Sequence, residues 1–282
     1  MKIKRFETIE SLQSYLDSVR GSNKSIGFIP TMGALHKGHI ELINKARNEN
    51  DIVVSSVFVN PTQFNNQNDL ALYPRPVEKD IAMLEKANCD AVFTPPVEAM
   101  YPDGNNLLNL DLAGLDKVME GVFRPGHFAG MITIVHKLFN VVTPRNAYFG
   151  EKDFQQLAII KYMVKQLNMP VSIIGCATVR ETDGLAMSSR NIHLTPEEKK
   201  QAPVIYNTLN ACIDLKNKMN PDQLQHFVKT EIEKSGLFKV EYISFVDAIN
   251  LSELKDWNSS ESQRACIAVT TSKTRLIDNI AL

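Results

Sequence analysis

The sequence is poor in the features that mark membrane, secreted, metal-bound or nucleic-acid-binding chains. No run of about 18 consecutive apolar residues occurs, which excludes a transmembrane helix. The four cysteines, Cys89, Cys176, Cys212 and Cys266, are widely spaced with no CxxC pair, so zinc and dithiol redox spacings are missing and reduced, buried thiols are expected. Neither charge sign dominates, because 31 Lys and Arg face 32 Asp and Glu. No global field therefore draws the chain to nucleic acid or an anionic membrane, and any anion site must be built locally. Internal repeats and low-complexity tracts are absent, and the Asn-rich stretch from Asn60 to Asn68 is short enough to be a loop. The opening MKIKRFETIESLQSYL has neither a continuous apolar core nor a small-residue cleavage site, which predicts a cytoplasmic protein.

What is present is the make-up of an ordinary globular protein: 282 residues, 44% hydrophobic and 22% charged, enough for two modest domains. Short β-branched runs alternate with helical patterns in the first part, as in βαβ units on a parallel sheet. Strands are predicted over Ser25 to Ile29, Ile52 to Val59, Asp90 to Phe93, about 146 to 149, and Val171 to Gly175. Helical periodicity falls at about 39 to 49, 77 to 87, 128 to 142 and 153 to 167. The expected fold is α/β, a Rossmann-like doubly wound parallel sheet over residues 1–180. A smaller C-terminal α+β domain is expected over residues 181–282, where Thr195-Pro196-Glu197-Glu198 and Asn220-Pro221-Asp222-Gln223 each announce a helix start. Val240 to Val246 and Ala265 to Thr270 read as antiparallel strands.

Ligands of open parallel sheets sit beyond the carboxyl ends of the strands, so the segments after each strand carry the information. In Pro30-Thr31-Met32-Gly33-Ala34-Leu35-His36-Lys37-Gly38-His39, Gly33 and Gly38 allow close backbone approach. The helix start there offers N–H groups to a phosphate. His36 and His39 share a face of the opening turn, as a metal pair or two unrelated surface histidines also would. Zinc is disfavoured because no third ligand cluster is apparent. A strand followed by HxGH resembles the nucleotide motif of the nucleotidyltransferase superfamily, where these histidines meet ATP phosphates. NPTQF, Tyr73-Pro74-Arg75 and RPGHF could each be a plain connection.

The order of PTMGALHKGH, NPTQF, YPR, RPGHF, GEKDFQQ and DGLAMSSRN between residues 24 and about 195 resembles one family, the pantothenate synthetases. The resemblance implies an ATP-dependent ligase that adenylates pantoate and lets β-alanine displace AMP, on the way to vitamin B5 and coenzyme A. An alternative of the same fold is a nucleotidyltransferase that keeps the nucleotide on its product. The resemblance puts Met32, Gly33, His36, Gly38, His39, Gly150, Lys152, Asp153, Val179, Met187, Ser188, Ser189 and Arg190 at ATP, with His36, His39, Lys152 and Arg190 as the catalytic set. Gln63 and Gln156 would hold pantoate and β-alanine, with Met32, Leu35 and Phe64 shaping a slot for the dimethyl group. Mg2+ would accompany ATP without an assigned protein ligand. A homodimer is implied, with the small domain as a lid or dimer-associated part. His127 stays outside the core set, His136 reads as a partly buried structural residue, and His193 lies just before a helix cap.

Overall fold

The computed structural model describes residues 2–64, 70–71 and 73–282. Part of the loop expected over Asn60 to Asn68 therefore lies outside the described residues. The chain divides into two compact units, one of Met1–Glu151 with Ile159–Cys176, the other of Lys152–Ala158 with Ala177–Leu282.

The first unit is built on six parallel strands: β1 (Lys4–Phe6), β2 (Ile26–Thr31), β3 (Ile52–Val57), β4 (Ala91–Phe93), β5 (Asn146–Gly150) and β6 (Ser172–Cys176). Their spatial order is β1-β4-β3-β2-β5-β6. The central β2 is a run of almost fully buried residues, as expected of a strand covered on both faces. Helix Lys37–Glu49 turns a single stripe of Leu42, Ile43 and Ala46 inward. Helix His127–Val142 is apolar nearly all round and correspondingly buried. Ile29, Ile43, Val53, Leu84 and Val92 belong to one core cluster. The strand predicted to Val59 stops at Val57, because Asn60-Pro61 turns the chain into the 3-10 turn Pro61–Gln63.

β2 is where the winding reverses, since β3 pairs with one side of it and β5 with the other. Such a switch point leaves a crevice beyond the strand ends, the usual ligand position in open α/β sheets. The segment from Met32 to His39 leaves the sheet there.

In the second unit β7 (Lys239–Asp247), β8 (Gln263–Thr270) and β9 (Arg275–Ala281) form an antiparallel sheet. Thr195 and Asn220 cap helices Pro196–Gln201 and Pro221–Glu233 through reciprocal boxes with Glu198 and Gln223. Each box satisfies two otherwise orphaned N–H groups and is worth about 1 kcal/mol. Leu209, Leu224, Val228, Phe245 and Ile267 form the core. All four cysteines are free and buried, as their spacing suggested. Burial pushes the Cys89 thiol up to about 12 and those of Cys176 and Cys212 to about 11, which leaves them inert. No helix among the described residues is long and apolar enough to cross a membrane.

Candidate active site

At the carboxyl end of β2 the backbone is bent by Gly33 at φ +82° and Ala34 at φ +51°. Glycine is needed at the first position: a Cβ there would stand 2.9 Å from Asp80 Oδ2. Asp80, buried in helix Val77–Lys86, accepts the N–H of Ala34 through Oδ2 and that of Leu35 through Oδ1, each at 2.8 Å. Thr31 Oγ1 accepts the N–H of Gly33 at 3.1 Å and donates to the carbonyl of Ser56 at 2.7 Å. This short loop is thus held from the strand below and from a neighbouring helix.

The loop delivers His36 to the N-cap of helix Lys37–Glu49, where the two histidines form a capping box. His36 Nδ1 accepts the N–H of Gly38 at 3.1 Å, and His39 Nδ1 accepts the N–H of His36 at 3.3 Å. With Nδ1 an acceptor in each ring, the proton of a neutral imidazole sits on Nε2. The ring centroids lie 4.1 Å apart. No acidic residue occupies the first turn, and the positive end of the helix dipole is suited to a phosphate.

Two segments that read as separate connections, NPTQF and RPGHF, are zipped together. His127, buried at the start of its helix, bonds the carbonyl of Gln63 at 2.8 Å through Nδ1. Asn60 Nδ2 donates to the carbonyl of Gly130 at 3.1 Å and to Gln63 Oε1 at 3.2 Å. The amide nitrogen of Gln63 is directed at Met32 Sδ. Tyr101 donates to Asn60 Oδ1 at 2.6 Å. Gln63 is thereby fixed next to Met32 of the loop above. Phe64 meets Tyr73 edge to face at 5.6 Å, so the YPR element packs against NPTQF. Gly150 closes β5.

In the second unit Lys152 lies in the 3-10 turn Glu151–Asp153, its side chain 17% exposed and its Nζ 3.5 Å from Asp153 Oδ1. Gln156 is half-buried a turn later. Val179 and Met187 are joined by a backbone bond of 2.9 Å, and Arg180 bridges Ala186 in the same hairpin. Gly184, at φ +99°, closes the hairpin where a Cβ would stand 2.6 Å from the Tyr206 ring. Ser188 caps the turn Ser189–His193 by accepting the N–H of Arg190 at 3.2 Å. Asn191 Nδ2 donates to Glu181 Oε1 at 3.0 Å and to the carbonyl of Ala186 at 3.1 Å, which fixes its amide orientation. Its Oδ1 has no partner among the described residues. Asn191 lines a cavity of about 10 Å3 with Ser188 and Asp278, room for one water.

His136 is half-buried within its helix, and His193 ends the turn before Thr195, as their sequence positions imply. Sequence reading misses Asp80 and undervalues Asn60 and His127. An Asp in a first helical turn looks like a dipole complement, and nothing local reveals that its partners lie at Ala34 and Leu35.

A Rossmann-like sheet with a His-x-Gly-His helix start at its switch point defines an α/β enzyme of the nucleotidyltransferase kind. Residues 4–281 match the family described as pantoate-beta-alanine ligase. Pantothenate synthetase from Phocaeicola vulgatus is 48% identical over 279 residues, covering 99% of each chain. That from Porphyromonas gingivalis is 46% identical over 275 residues, 98% of each. The crystal structure of pantothenate synthetase from Thermus thermophilus superposes with TM-score 0.91 at 40% identity, covering 99% of each chain. That of pantoate-beta-alanine ligase from Francisella tularensis, complexed with beta-gamma ATP and beta-alanine, gives TM-score 0.83 at 38% identity over 99% of this chain and 97% of that one. The chain belongs to the pantoate–β-alanine ligase family.

Proposed function

We propose that the chain joins pantoate to β-alanine in two steps, and that the residues above divide the work between phosphate and acid. The first step needs no general base, because a carboxyl with an ordinary pKa of about 3.5 to 4 is already ionised at neutral pH. A pantoate carboxylate oxygen attacks the α-phosphorus of ATP, the bond from that phosphorus to the bridging oxygen breaks, and pyrophosphate leaves. The obstacle is bringing one anion to another, so positioning and charge neutralisation dominate.

His36 and His39 would donate from Nε2 to the triphosphate, with Met32, Gly33 and Gly38 letting the nucleotide approach the backbone. Lys152 would follow the transferred group as a mobile point charge, while the planar fork of Arg190, with Ser188 and Ser189, would hold the departing pyrophosphate. Gly150, Asp153, Val179 and Met187 would complete the nucleotide contacts. Gln63 and Gln156 would hold the hydroxy acid with neutral amides, which orient its carboxylate without damping its attack. In the second step the neutral β-alanine amine attacks the acyl carbon of pantoyl adenylate, the bond to AMP breaks, and the proton released from the nitrogen passes to the departing AMP phosphate.

Mg2+ would arrive with ATP as part of the nucleotide substrate. Such an ion would be held chiefly by phosphate oxygens and water, as Mg2+ keeps most of its hydration shell. Asp153, with 47% of its side chain exposed, is the carboxylate that would reach it. We also read the working protein as cytoplasmic, from its N-terminal sequence, and as a homodimer, on family resemblance.

The observation that carries the reading is the two-histidine capping box, which leaves both Nε2 protons facing away from the helix backbone. Its test is exchange of labelled pyrophosphate into ATP, expected only with pantoate present, followed by AMP release on adding β-alanine. A product that retains the nucleotide, with no AMP, would overturn it in favour of a nucleotidyltransferase of the same fold.

A further inference from the structure

We infer that Asp278 and Asn279, consecutive residues of β9, are positioning residues that set the Lys152 turn and the 179–187 hairpin leading to Ser188–Arg190 in register for adenylate formation. The inference rests on the roles proposed above for Lys152 and Arg190. Asp278, whose side chain is 4% exposed, receives both terminal nitrogens of Arg180, at 2.6 and 3.0 Å. Arg180 in turn donates to the carbonyl of Gly184 at 3.0 Å and stacks on the Tyr206 ring at 3.8 Å. The base of the 179–187 hairpin is thus clamped by a bidentate pair, the geometry that transmits least play.

Asn279 serves the other segment. Its Nδ2 donates to the carbonyl of Lys152 at 2.8 Å, and its Oδ1 accepts from Arg264 Nη1 at 2.7 Å. Arg264 lies over the Phe154 ring at 4.1 Å, so the turn is gripped at its backbone and two residues beyond. The two residues are coupled in turn, for Asp278 Oδ1 accepts the N–H of Asn279 at 2.7 Å. Successive side chains of a strand leave opposite faces, which lets one dipeptide serve two segments. A cation that must follow a moving phosphoryl group tolerates little misplacement of its backbone, since an error of about 1 Å can cost about 100-fold in rate.

The test uses the full chain carrying Asn279→Ala or Asn279→Asp. The aspartate keeps an acceptor for Arg264 and removes the donor to Lys152, so it carries the test if the alanine variant does not fold. Pantoate-dependent pyrophosphate exchange is expected to fall about 10- to 100-fold in kcat, with reaction of supplied pantoyl adenylate and β-alanine changed less than about threefold. Val269→Ala, which thins the core on the neighbouring strand, is the reference for mere destabilisation and should not separate the half-reactions. Equal loss of both half-reactions, or loss of neither, in the folded Asn279 variant overturns the inference. Lys152→Ala run in parallel distinguishes the two failures. Exchange that survives it removes the role of Lys152 itself, whereas exchange abolished by it but untouched by the Asn279 variants removes only the positioning.

Discussion

His39 accepts the backbone N–H of His36 through Nδ1 at 3.3 Å, so the second histidine of the pair completes the helix start that the first one caps. Structure and chemistry can therefore be separated by substitution. Asn is as good an N-cap as any residue, and Gln at the third position closes a box as Glu does. His36→Asn and His39→Gln are expected to keep thermal stability within about 0.5 kcal/mol of the parent while pyrophosphate exchange falls about 100- to 1,000-fold, the usual loss of a transition-state donor. His36→Ala should lose the cap as well, about 1 kcal/mol more. Thermal melts alongside exchange assays decide the matter, and full activity in His36→Asn would reduce the pair to a structural cap.

Asp80 is the next case, and its carboxyl is shifted against ionisation. Burial raises its carboxyl above the ordinary value, and the N–H groups of Leu35 and Ala34 and the charge of Lys79 only partly offset this. A carboxyl whose folded pKa is raised favours folding most below its unfolded pKa, and that contribution is lost as pH rises through the folded one. The site thus disfavours the charged form of Asp80 while its two oxygens fix the Ala34 and Leu35 amides. Asp80→Asn should leave stability at pH 7 within about 1 kcal/mol, because relief of the buried charge offsets the lost acceptor. The KM for ATP should rise about tenfold as the loop loosens. Melts at pH 5 and 7 with ATP titrations check both halves; a large stability loss with unchanged KM would contradict the reading.

The strands around the switch point and the capped helices of the second unit are legible in the sequence because their signals are local. Apolar runs bounded by Pro, Asn or Asp mark the former, and Thr195 with Glu198 and Asn220 with Gln223 mark the latter. β1 is not legible: Lys4, Arg5 and Phe6 show no apolar alternation, being a short charged strand at the sheet edge. Helix Ile9–Gly21 does carry an inward stripe of Leu12, Leu16 and Val19, but charged neighbours blur it. β9 is obscured by Arg275, Asp278 and Asn279, polar residues that make sense only once Glu241, Arg180 and Lys152 stand beside them. The same distinction governs the site. The histidine pair is legible because its members stand only three positions apart, whereas the grip of Asp80 on Leu35 and of His127 on Gln63 spans 45 and 64 residues and leaves no local mark.

Glu198 gives a pH dependence of opposite sign to that of Asp80. Its buried carboxylate accepts the N–H of Thr195 at 2.8 Å and that of Ser272 at 2.9 Å. Chiefly through the Thr195 bond, against the opposing cost of burial, its pKa is drawn from 4.5 down to about 2. A depressed carboxyl contributes stability that is complete above the unfolded pKa and is lost as pH falls through the folded one. The second unit should therefore weaken between roughly pH 4.5 and 2, by about 3 kcal/mol at most. Glu198→Gln should flatten that limb in acid denaturation followed by circular dichroism; an unchanged limb would show that other groups set it.

Gly130 tests the zipper that holds Gln63. A Cβ at this position would stand 2.2 Å from the carbonyl oxygen of Thr62 and 2.7 Å from the nitrogen of Gln63, both backbone atoms that no rotamer change can move aside. Gly130→Ala must either push helix His127–Val142 away from the Pro61–Gln63 turn or shift the turn itself. Overpacking of this kind costs about 1 to 3 kcal/mol. Because the displaced segment carries Gln63 and not the histidine pair, the KM for pantoate should rise several-fold while that for ATP stays within about twofold. Steady-state kinetics with each substrate varied in turn would show the split. If both KM values moved together, Gln63 would be better placed as a support of the whole loop cluster than as a contact for the acid.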